Sequence, residues 1–161
     1  MPNFTSLAGP VGGLLKQRGE TVAVAESSTG GLISAALLAV PGASAYFVGG
    51  GVIYTETSRL ALLDIDLNDH PGMRASTEPY ALLAAQTIRQ KLGATWGLAE
   101  TGATGPTGNR YGDTAGHCCI ALAGPVERAI TIETGRADRE ANMQDFAERA
   151  LTFFEEALGA S

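Results

Sequence analysis

Apolar and polar positions alternate along the chain in blocks that predict helices interleaved with buried strands. Short apolar runs such as TVAVAE, ATWGLAET and HCCIALAG are typical of buried strands. Longer blocks with apolar residues three and four positions apart, such as GGLISAALLAV and ADREANMQDFAERALTFFEEALG, predict helices. The predicted order is αβαβααβββα. It indicates a three-layer α/β/α sandwich with a mixed, mostly parallel sheet.

Capping and turn residues mark the predicted ends of several elements. Thr77 is placed to cap a helix that Gly93 ends, and Gly19 ends a weaker first helix that has Pro10 near its start. A tight Gly-Pro turn at residues 124–125 predicts that the last two strands form an antiparallel pair. In AYFVGGGVIYT, three glycines predict a strand broken by a turn or approached closely by another backbone.

Length and composition fit one globular domain over residues 1–161. The chain has 161 residues, of which 45% are hydrophobic, enough for a sizeable core. No apolar run is long enough to span a membrane, and MPNFTSLAGP lacks the features of a secretory signal. We therefore expect a cytoplasmic protein with no membrane partner.

Charge and cysteine content narrow the functional classes further. The net charge of −6 argues against nucleic-acid binding, although a local positive pocket can still hold a small anionic ligand. Cys118 and Cys119 are adjacent, so their side chains point to opposite faces of a strand and are poorly placed to bridge. No spacing of cysteine or histidine suggests a metal, and we expect neither a metal nor a cofactor.

Two predicted strand ends carry a dense polar signal. One is ESSTGG, residues 26–31, and the other is ETGATGP, residues 100–106. Ligands of open α/β sheets bind beyond the carboxyl ends of strands, so the two segments line one crevice if their strands are parallel. A helix opening near Thr29 favours an anion, and we expect backbone N–H groups of residues 28–30 to donate to it. The alternative is that these hydroxyls only cap the helix.

The segment between Glu100 and His117 is predicted to be a long loop. It is rich in glycine, proline and hydroxyl residues and is longer than a compact domain needs. Such loops are usually functional or disordered.

Several motifs, in order and at matching spacing, resemble the CinA C-terminal domain family, the nicotinamide mononucleotide deamidases. AESSTGG corresponds to the family's AES-C-TGG, and PGASAYFVGGGVIYTETSR corresponds to its PGxSxxFxGGxxxYsNexK. STEPYA stands for the family's VSEPVA, TGATGP stands for TGIAGP, and Gly116 fits the glycine of KPVGTV. The resemblance covers essentially the whole chain. Full-length CinA proteins have a second, N-terminal domain, so this chain is expected to be the stand-alone form.

The resemblance implies hydrolysis of the carboxamide of nicotinamide mononucleotide, which gives nicotinic acid mononucleotide and ammonia without a metal. It implies that Ser27 is the nucleophile and that Tyr54 belongs to the site. The family's lysine, which acts with the serine as a base, falls on Arg59. A guanidinium stays protonated, so Arg59 is expected to bind charge rather than remove a proton. A late family arginine is best matched by Arg139, with Arg136 as competitor.

The absent lysine leaves three interpretations open. The chain is an amidohydrolase with another base, for which the candidates are Glu26, Glu56, Glu100 and His117. Alternatively it binds a nucleotide without turnover, or it acts on a different amide. We expect a small anionic nucleotide as ligand and a homo-oligomeric state. Besides Ser27, Tyr54 and Arg59, the predicted ligand-binding residues are Ser28, Thr29, Gly30, Gly31, Thr101, Gly102, Thr104, Gly105 and Arg139.

Overall fold

The computed structural model describes residues 3–160, so residues 1, 2 and 161 of the predicted domain lie outside the described part. The main elements occur in the predicted order. They are α1 (Phe4–Arg18), β1 (Val22–Glu26), α2 (Leu32–Leu38), β2 (Phe47–Val52), α3 (Glu56–Leu63), α4 (Glu78–Leu92), β3 (Trp96–Ala103), β4 (His117–Ala123), β5 (Arg128–Glu133) and α5 (Arg139–Ala160).

The strands form one sheet with the order β2-β1-β3-β4-β5. β1 is parallel to both of its neighbours, and β4 is antiparallel to both β3 and β5. Four of the five strands therefore run in one direction, and β4 alone opposes them, which confirms the mixed, mostly parallel sheet. One apolar core lies between the sheet and α1, α2 and α5; the other lies between the sheet and α3 and α4. The three-layer α/β/α sandwich is confirmed.

Local capping places most helix ends where the sequence predicts them. The Thr77 side chain accepts from the backbone N–H of Tyr80, and α4 ends at Gly93 with a φ of 64°. Gly19 ends α1 in the same left-handed conformation. The prediction that Pro10 lies near the start of α1 is wrong, because Asn3 caps the helix and Pro10 lies in its interior.

Two close contacts explain features of the chain. A Cβ on Gly50 of β2 would lie 2.1 Å from the carbonyl oxygen of Val24, so the predicted close approach of backbone is confirmed. Trp96 is buried, and its ring packs edge-on against Phe154 of α5 at 5.7 Å between centroids. The cysteines Cys118 and Cys119 are free and lie in opposite cores. Between residues 3 and 160, no helix is long and apolar enough to cross a membrane.

Candidate active site

The two polar segments meet at one edge of the sheet. β1 and β3 are parallel neighbours, with Ala25 opposite Ala99, so the residues that follow them lie side by side. The predicted crevice at the carboxyl ends of these strands is therefore present.

A carboxylate from β3 organises the turn after β1. Buried Glu100 accepts hydrogen bonds from the backbone N–H groups of Ser27 at 2.8 Å, Ser28 at 3.2 Å and Thr29 at 3.0 Å. The Ser28 hydroxyl also donates to Glu100, and the Thr29 hydroxyl oxygen lies 2.8 Å from the same carboxylate. One side chain thus fixes three consecutive amides, and the turn that carries Ser27 is held from the neighbouring strand.

A second buried carboxylate closes the amino end of α2. Glu26 accepts from the Thr29 hydroxyl at 2.6 Å and from the backbone N–H groups of Gly31 at 3.1 Å, Ile33 at 3.0 Å and Ser34 at 2.8 Å. These amides would otherwise be the unpaired donors of the first helical turn. A carboxylate also suits the positive end of the helix dipole.

The predicted role of the amides of residues 28–30 as donors to an oxyanion or a phosphate is wrong. The amides of Ser28 and Thr29 donate to Glu100, and the amide of Gly30 donates to the carbonyl of Ser27 at 3.2 Å. The ligand-facing positions predicted for Ser28 and Thr29 are also corrected, because both residues are buried with their hydroxyls toward Glu100. Gly30 and Gly31 line neither of the two cavities at this edge of the sheet. The two hydroxyls face inward, and the glycines adopt φ values of 63° and 104° that continue the turn into α2.

Ser27 differs from its two hydroxyl neighbours. It is half-buried and lines a cleft of about 460 Å³. Its hydroxyl forms no hydrogen bond with any residue between 3 and 160, whereas the hydroxyls of Ser28 and Thr29 are buried and occupied. Of the three hydroxyls, Ser27 alone is free to meet a ligand in the cleft.

The cleft brings together part of the predicted site, the candidate base Glu56 and several residues to which the sequence assigned no role. The predicted members that line it are Ser27, Tyr54, Arg59, Thr101 and Gly102. The other lining residues are Ile53, Thr55, Glu56, Ala75, Ser76, Tyr80, Asn109, Arg110 and Tyr111.

The remaining predicted residues lie in a smaller cavity of about 190 Å³ beside the cleft. It contains Thr104, Gly105 and Arg139, and it shares Tyr54, Gly102 and Asn109 with the cleft. The guanidinium of Arg139 donates to the Gly105 carbonyl at 2.6 Å and to the Tyr54 hydroxyl at 3.1 Å.

The competing match for the late family arginine lies elsewhere. Arg136 forms an ion pair with Asp145 and lies against another cavity on α5. The placement therefore favours Arg139.

Arg59 is a buried cation without an acidic partner. It is 8% exposed, its Nε donates to the Tyr80 hydroxyl at 3.1 Å, and its Cζ lies 4.9 Å from the centre of the Tyr80 ring. No carboxylate among residues 3–160 pairs with it, and its terminal nitrogens make no hydrogen bond there. Its terminal nitrogens are therefore open to solvent in the cleft, where they are placed to meet an anion or a developing oxyanion.

The structure separates the candidate bases. The carboxylate oxygens of Glu26 and Glu100 already accept hydrogen bonds from backbone N–H groups, so neither is placed to act as the base. His117 is buried rather than exposed, and its ring nitrogens contact Glu133 at 2.6 Å and the Ser76 carbonyl at 2.8 Å. Glu56 is the carboxylate that lines the cleft among the described residues, where it pairs with Arg110 at 3.3 Å.

The long loop is ordered and forms one wall of the cleft. Arg74 holds it through two contacts to Asp113, at 2.8 and 3.3 Å. The Tyr111 ring lies against the guanidinium groups of Arg74 at 4.8 Å and Arg110 at 5.0 Å. The Arg74 hydrogen bond holds the pKa of Asp113 below its usual range, with smaller help from Asn109. Asn109 and Tyr111 could not be predicted as cleft residues, because residues of an irregular loop have no periodic pattern that marks the side they face.

Comparison with known proteins identifies the family of the chain. The family model of the CinA C-terminal domain matches residues 4–158. The chain is 46% identical over 120 residues to a CinA-like protein of Prochlorococcus marinus, covering 74% of this chain and 28% of that protein. It is 43% identical over 131 residues to a CinA-like protein of Gloeobacter violaceus, covering 81% and 31%. The chain thus spans about a third of the length of these relatives or less.

Solved structures match over nearly the whole chain. A competence-damaged protein (CinA) superfamily protein from Klebsiella pneumoniae superposes with a TM-score of 0.92 at 25% identity, over 99% of this chain and 100% of the other. The competence/damage inducible protein CihA from Agrobacterium tumefaciens has a TM-score of 0.87 at 25% identity, over 99% and 97%. The chain therefore belongs to the CinA C-terminal domain family.

Proposed function

We propose that this protein hydrolyses the carboxamide of nicotinamide mononucleotide, with Ser27 as the nucleophile. The proposal rests on two side chains that line the same cleft, Ser27 and Arg59. The Ser27 hydroxyl is unoccupied, and the buried Arg59 guanidinium has no counter-ion. An attacking hydroxyl and a fixed positive charge are what acyl transfer requires.

In the proposed reaction, Ser27 Oγ attacks the carboxamide carbon and the carbonyl oxygen becomes an oxyanion that Arg59 stabilises. The hydroxyl proton passes to a base and then to the leaving nitrogen, the C–N bond breaks, and ammonia departs. Water then cleaves the ester on Ser27, which releases the carboxylate and restores the hydroxyl. Glu56 is our candidate for the base, because it lines the cleft and the backbone does not occupy it.

The smaller cavity supports the mononucleotide as the ligand class. It adjoins the cleft at Tyr54 and Gly102 and holds Arg139 together with Thr104. Arg139 uses two nitrogens on Gly105 and Tyr54, but a guanidinium has five N–H donors, so others remain for a phosphate. We place the amide-bearing ring in the cleft and the phosphate in the smaller cavity.

One observation favours a second function, nucleotide binding without turnover. No base in residues 3–160 touches the Ser27 hydroxyl, and the family lysine is Arg59 here. Such a protein would hold the nucleotide by the same charges and leave its amide intact.

Two measurements on one preparation separate these functions. Ammonia release from nicotinamide mononucleotide is followed enzymatically, and binding of the same nucleotide is followed by calorimetry. Turnover by the natural sequence supports the amidohydrolase. Binding without ammonia, together with ammonia release by Arg59→Lys, would support the non-catalytic function. Absence of both binding and ammonia release in the natural sequence would contradict both.

A further inference from the structure

Ser76 stands out in the wall of the cleft because of its backbone conformation. It is a non-glycine residue with a φ of 60°, a region that side chains other than glycine and asparagine rarely adopt. It is 6% exposed and lines the cleft with Ser27 and Arg59. Unfavourable backbone conformations persist where surrounding contacts fix them, and they concentrate at functional sites.

Contacts on both sides of the residue fix that conformation. The Ser76 N–H donates to the Thr101 hydroxyl at 3.0 Å, and the Ser76 carbonyl lies 2.8 Å from Nε2 of His117. The Ser76 hydroxyl itself forms no hydrogen bond with residues 3–160. These two hydrogen bonds fix the Ser76 backbone. The Ser76 hydroxyl is left without a partner in this part of the chain, and Ser76 lines the cleft.

The charge state of His117 follows from its two partners. Nδ1 lies 2.6 Å from a carboxylate oxygen of Glu133, and Nε2 faces the Ser76 carbonyl. A backbone carbonyl can only accept, and an ionised carboxylate can only accept, so both ring nitrogens must carry hydrogen. A neutral ring has one N–H and would turn a lone pair toward one of these oxygens. The doubly protonated ring is the form that satisfies both contacts.

The other groups around His117 also favour the imidazolium. Asp113 of the long loop lies 3.8 Å from Nε2, and Arg74 partly neutralises that carboxylate. The Cys119 thiol is 3.8 Å from Nε2, and Glu78 of α4 reaches the same region through the Thr131 hydroxyl. Burial alone would lower the pKa of His117, but the hydrogen bonds to Glu133 and Ser76 and the charges of Asp113 and Glu133 outweigh it, so the pKa is raised above 6.5.

We infer that the Ser76 hydroxyl contacts the bound ligand and that the imidazolium of His117 is the positioning residue that presents it. The inference rests on the cleft being the nucleotide site proposed above. It adds a determinant of affinity that lies outside the nucleophile and its charge partner. It also predicts that ligand binding weakens as pH rises through the His117 pKa, when the ring keeps a single N–H for its two contacts.

Ser76 is tested by removing its hydroxyl in two ways. Ser76→Gly also removes the backbone strain at a φ of 60°, whereas Ser76→Ala keeps the Cβ and the strain. If one of the two variants fails to fold, the other still tests the hydroxyl. We expect the Kd and KM for nicotinamide mononucleotide to rise about tenfold in both, with a smaller change in kcat, which corresponds to one lost hydrogen bond. Unchanged Kd and KM in folded variants would overturn the inference and leave the proposed function standing.

His117 is tested by its pH profile beside His117→Gln, whose amide can still donate to the Ser76 carbonyl but does not titrate. We expect the KM of the natural sequence to rise as pH increases through the His117 pKa, and the KM of His117→Gln to stay level there. Titration of the ligand phosphate affects both proteins equally and cancels in the comparison. Parallel profiles would overturn the positioning role. If the natural sequence neither binds nor hydrolyses the nucleotide, the proposed function and this inference both fail.

Discussion

Glu100 on β3 accepts a hydrogen bond from the backbone N–H of Ser27, which follows β1, at 2.8 Å. The carboxylate belongs to one strand and the proposed nucleophile to the next, so the sheet itself sets where the serine stands. Glu100 also takes the amides of Ser28 and Thr29, which removes them from any role toward a ligand. The turn is rigid because its donors are used inside the protein.

The first prediction concerns this carboxylate. Glu100→Gln replaces one carboxylate oxygen, which accepts from buried backbone N–H groups, with an NH₂ group that cannot accept. Some of these N–H groups would then lose their hydrogen bond. We expect the free energy of unfolding to fall by about 3 kcal/mol, the range for leaving buried polar groups unsatisfied. Urea denaturation measures it. Glu156→Gln, on the exposed face of α5, is the matched control, and an equal effect in the two variants would show that Glu100 does not hold the turn.

The second prediction concerns the charge on Arg59. Arg59→Met keeps an unbranched stem against Tyr80 and removes a buried charge that has no counter-ion. We expect the free energy of unfolding to change by less than about 1 kcal/mol, because the terminal nitrogens already meet solvent in the cleft, while nucleotide affinity falls. Urea denaturation measures the stability, and calorimetry measures the nucleotide affinity. Arg128→Met, at an exposed position, is the control for both. A larger loss of stability in Arg59→Met would mean that the guanidinium serves the fold rather than a ligand.

The third prediction concerns which pyridine nucleotide binds more tightly. A guanidinium can hold a carboxylate through two charge-assisted hydrogen bonds, which an amide cannot offer. We therefore expect nicotinic acid mononucleotide to bind about tenfold more tightly than nicotinamide mononucleotide, equivalent to about 1.4 kcal/mol. Calorimetry with both ligands checks this, and the preference should vanish in Arg59→Met. Equal affinities in the natural sequence would place Arg59 away from the reacting group.

The fourth prediction concerns acid stability. The pKa of Asp113 is lowered in the folded protein, chiefly by its hydrogen bond to Arg74. Its contribution is therefore present above the ordinary value of 3.8 and is lost as pH falls through the lower folded pKa. We expect the stability difference between the natural sequence and Asp113→Asn to be largest near neutral pH and to shrink in acid. Urea denaturation across this range measures it, and a constant difference would contradict the account.

Much of the fold followed from local patterns. The cap at Thr77, the helix end at Gly93 and the buried strand before Ser27 are set by neighbouring residues, and the structure agrees with each. The interior position of Pro10 did not follow, because proline favours the first turn of a helix, whereas α1 begins after its cap at Asn3 and continues through Pro10.

The site was less predictable because its contacts join distant parts of the chain. The sequence placed three hydroxyls at one turn but could not say that Glu100, more than 70 residues away, occupies two of them. Because of Glu100, the backbone N–H groups of Ser28 and Thr29 donate into the protein, whereas the sequence predicted that they donate to a ligand. Likewise, Ser76 opens the STEPYA motif, but nothing local shows that it lines the cleft, because its position depends on Thr101 and His117. Spacing located the residues along the chain, and the order of the strands determined which of them line the cleft.

The most direct test of the account compares ammonia release from nicotinamide mononucleotide by the natural sequence, Ser27→Ala and Ser34→Ala. Ser34 lies on α2 outside the described cavities, so its variant controls for loss of a nearby serine. We predict that the natural sequence and Ser34→Ala release ammonia at similar rates and that Ser27→Ala, still folded, loses at least about a thousandfold, as expected for a lost nucleophile. Ammonia release by folded Ser27→Ala at the natural rate would contradict the central claim.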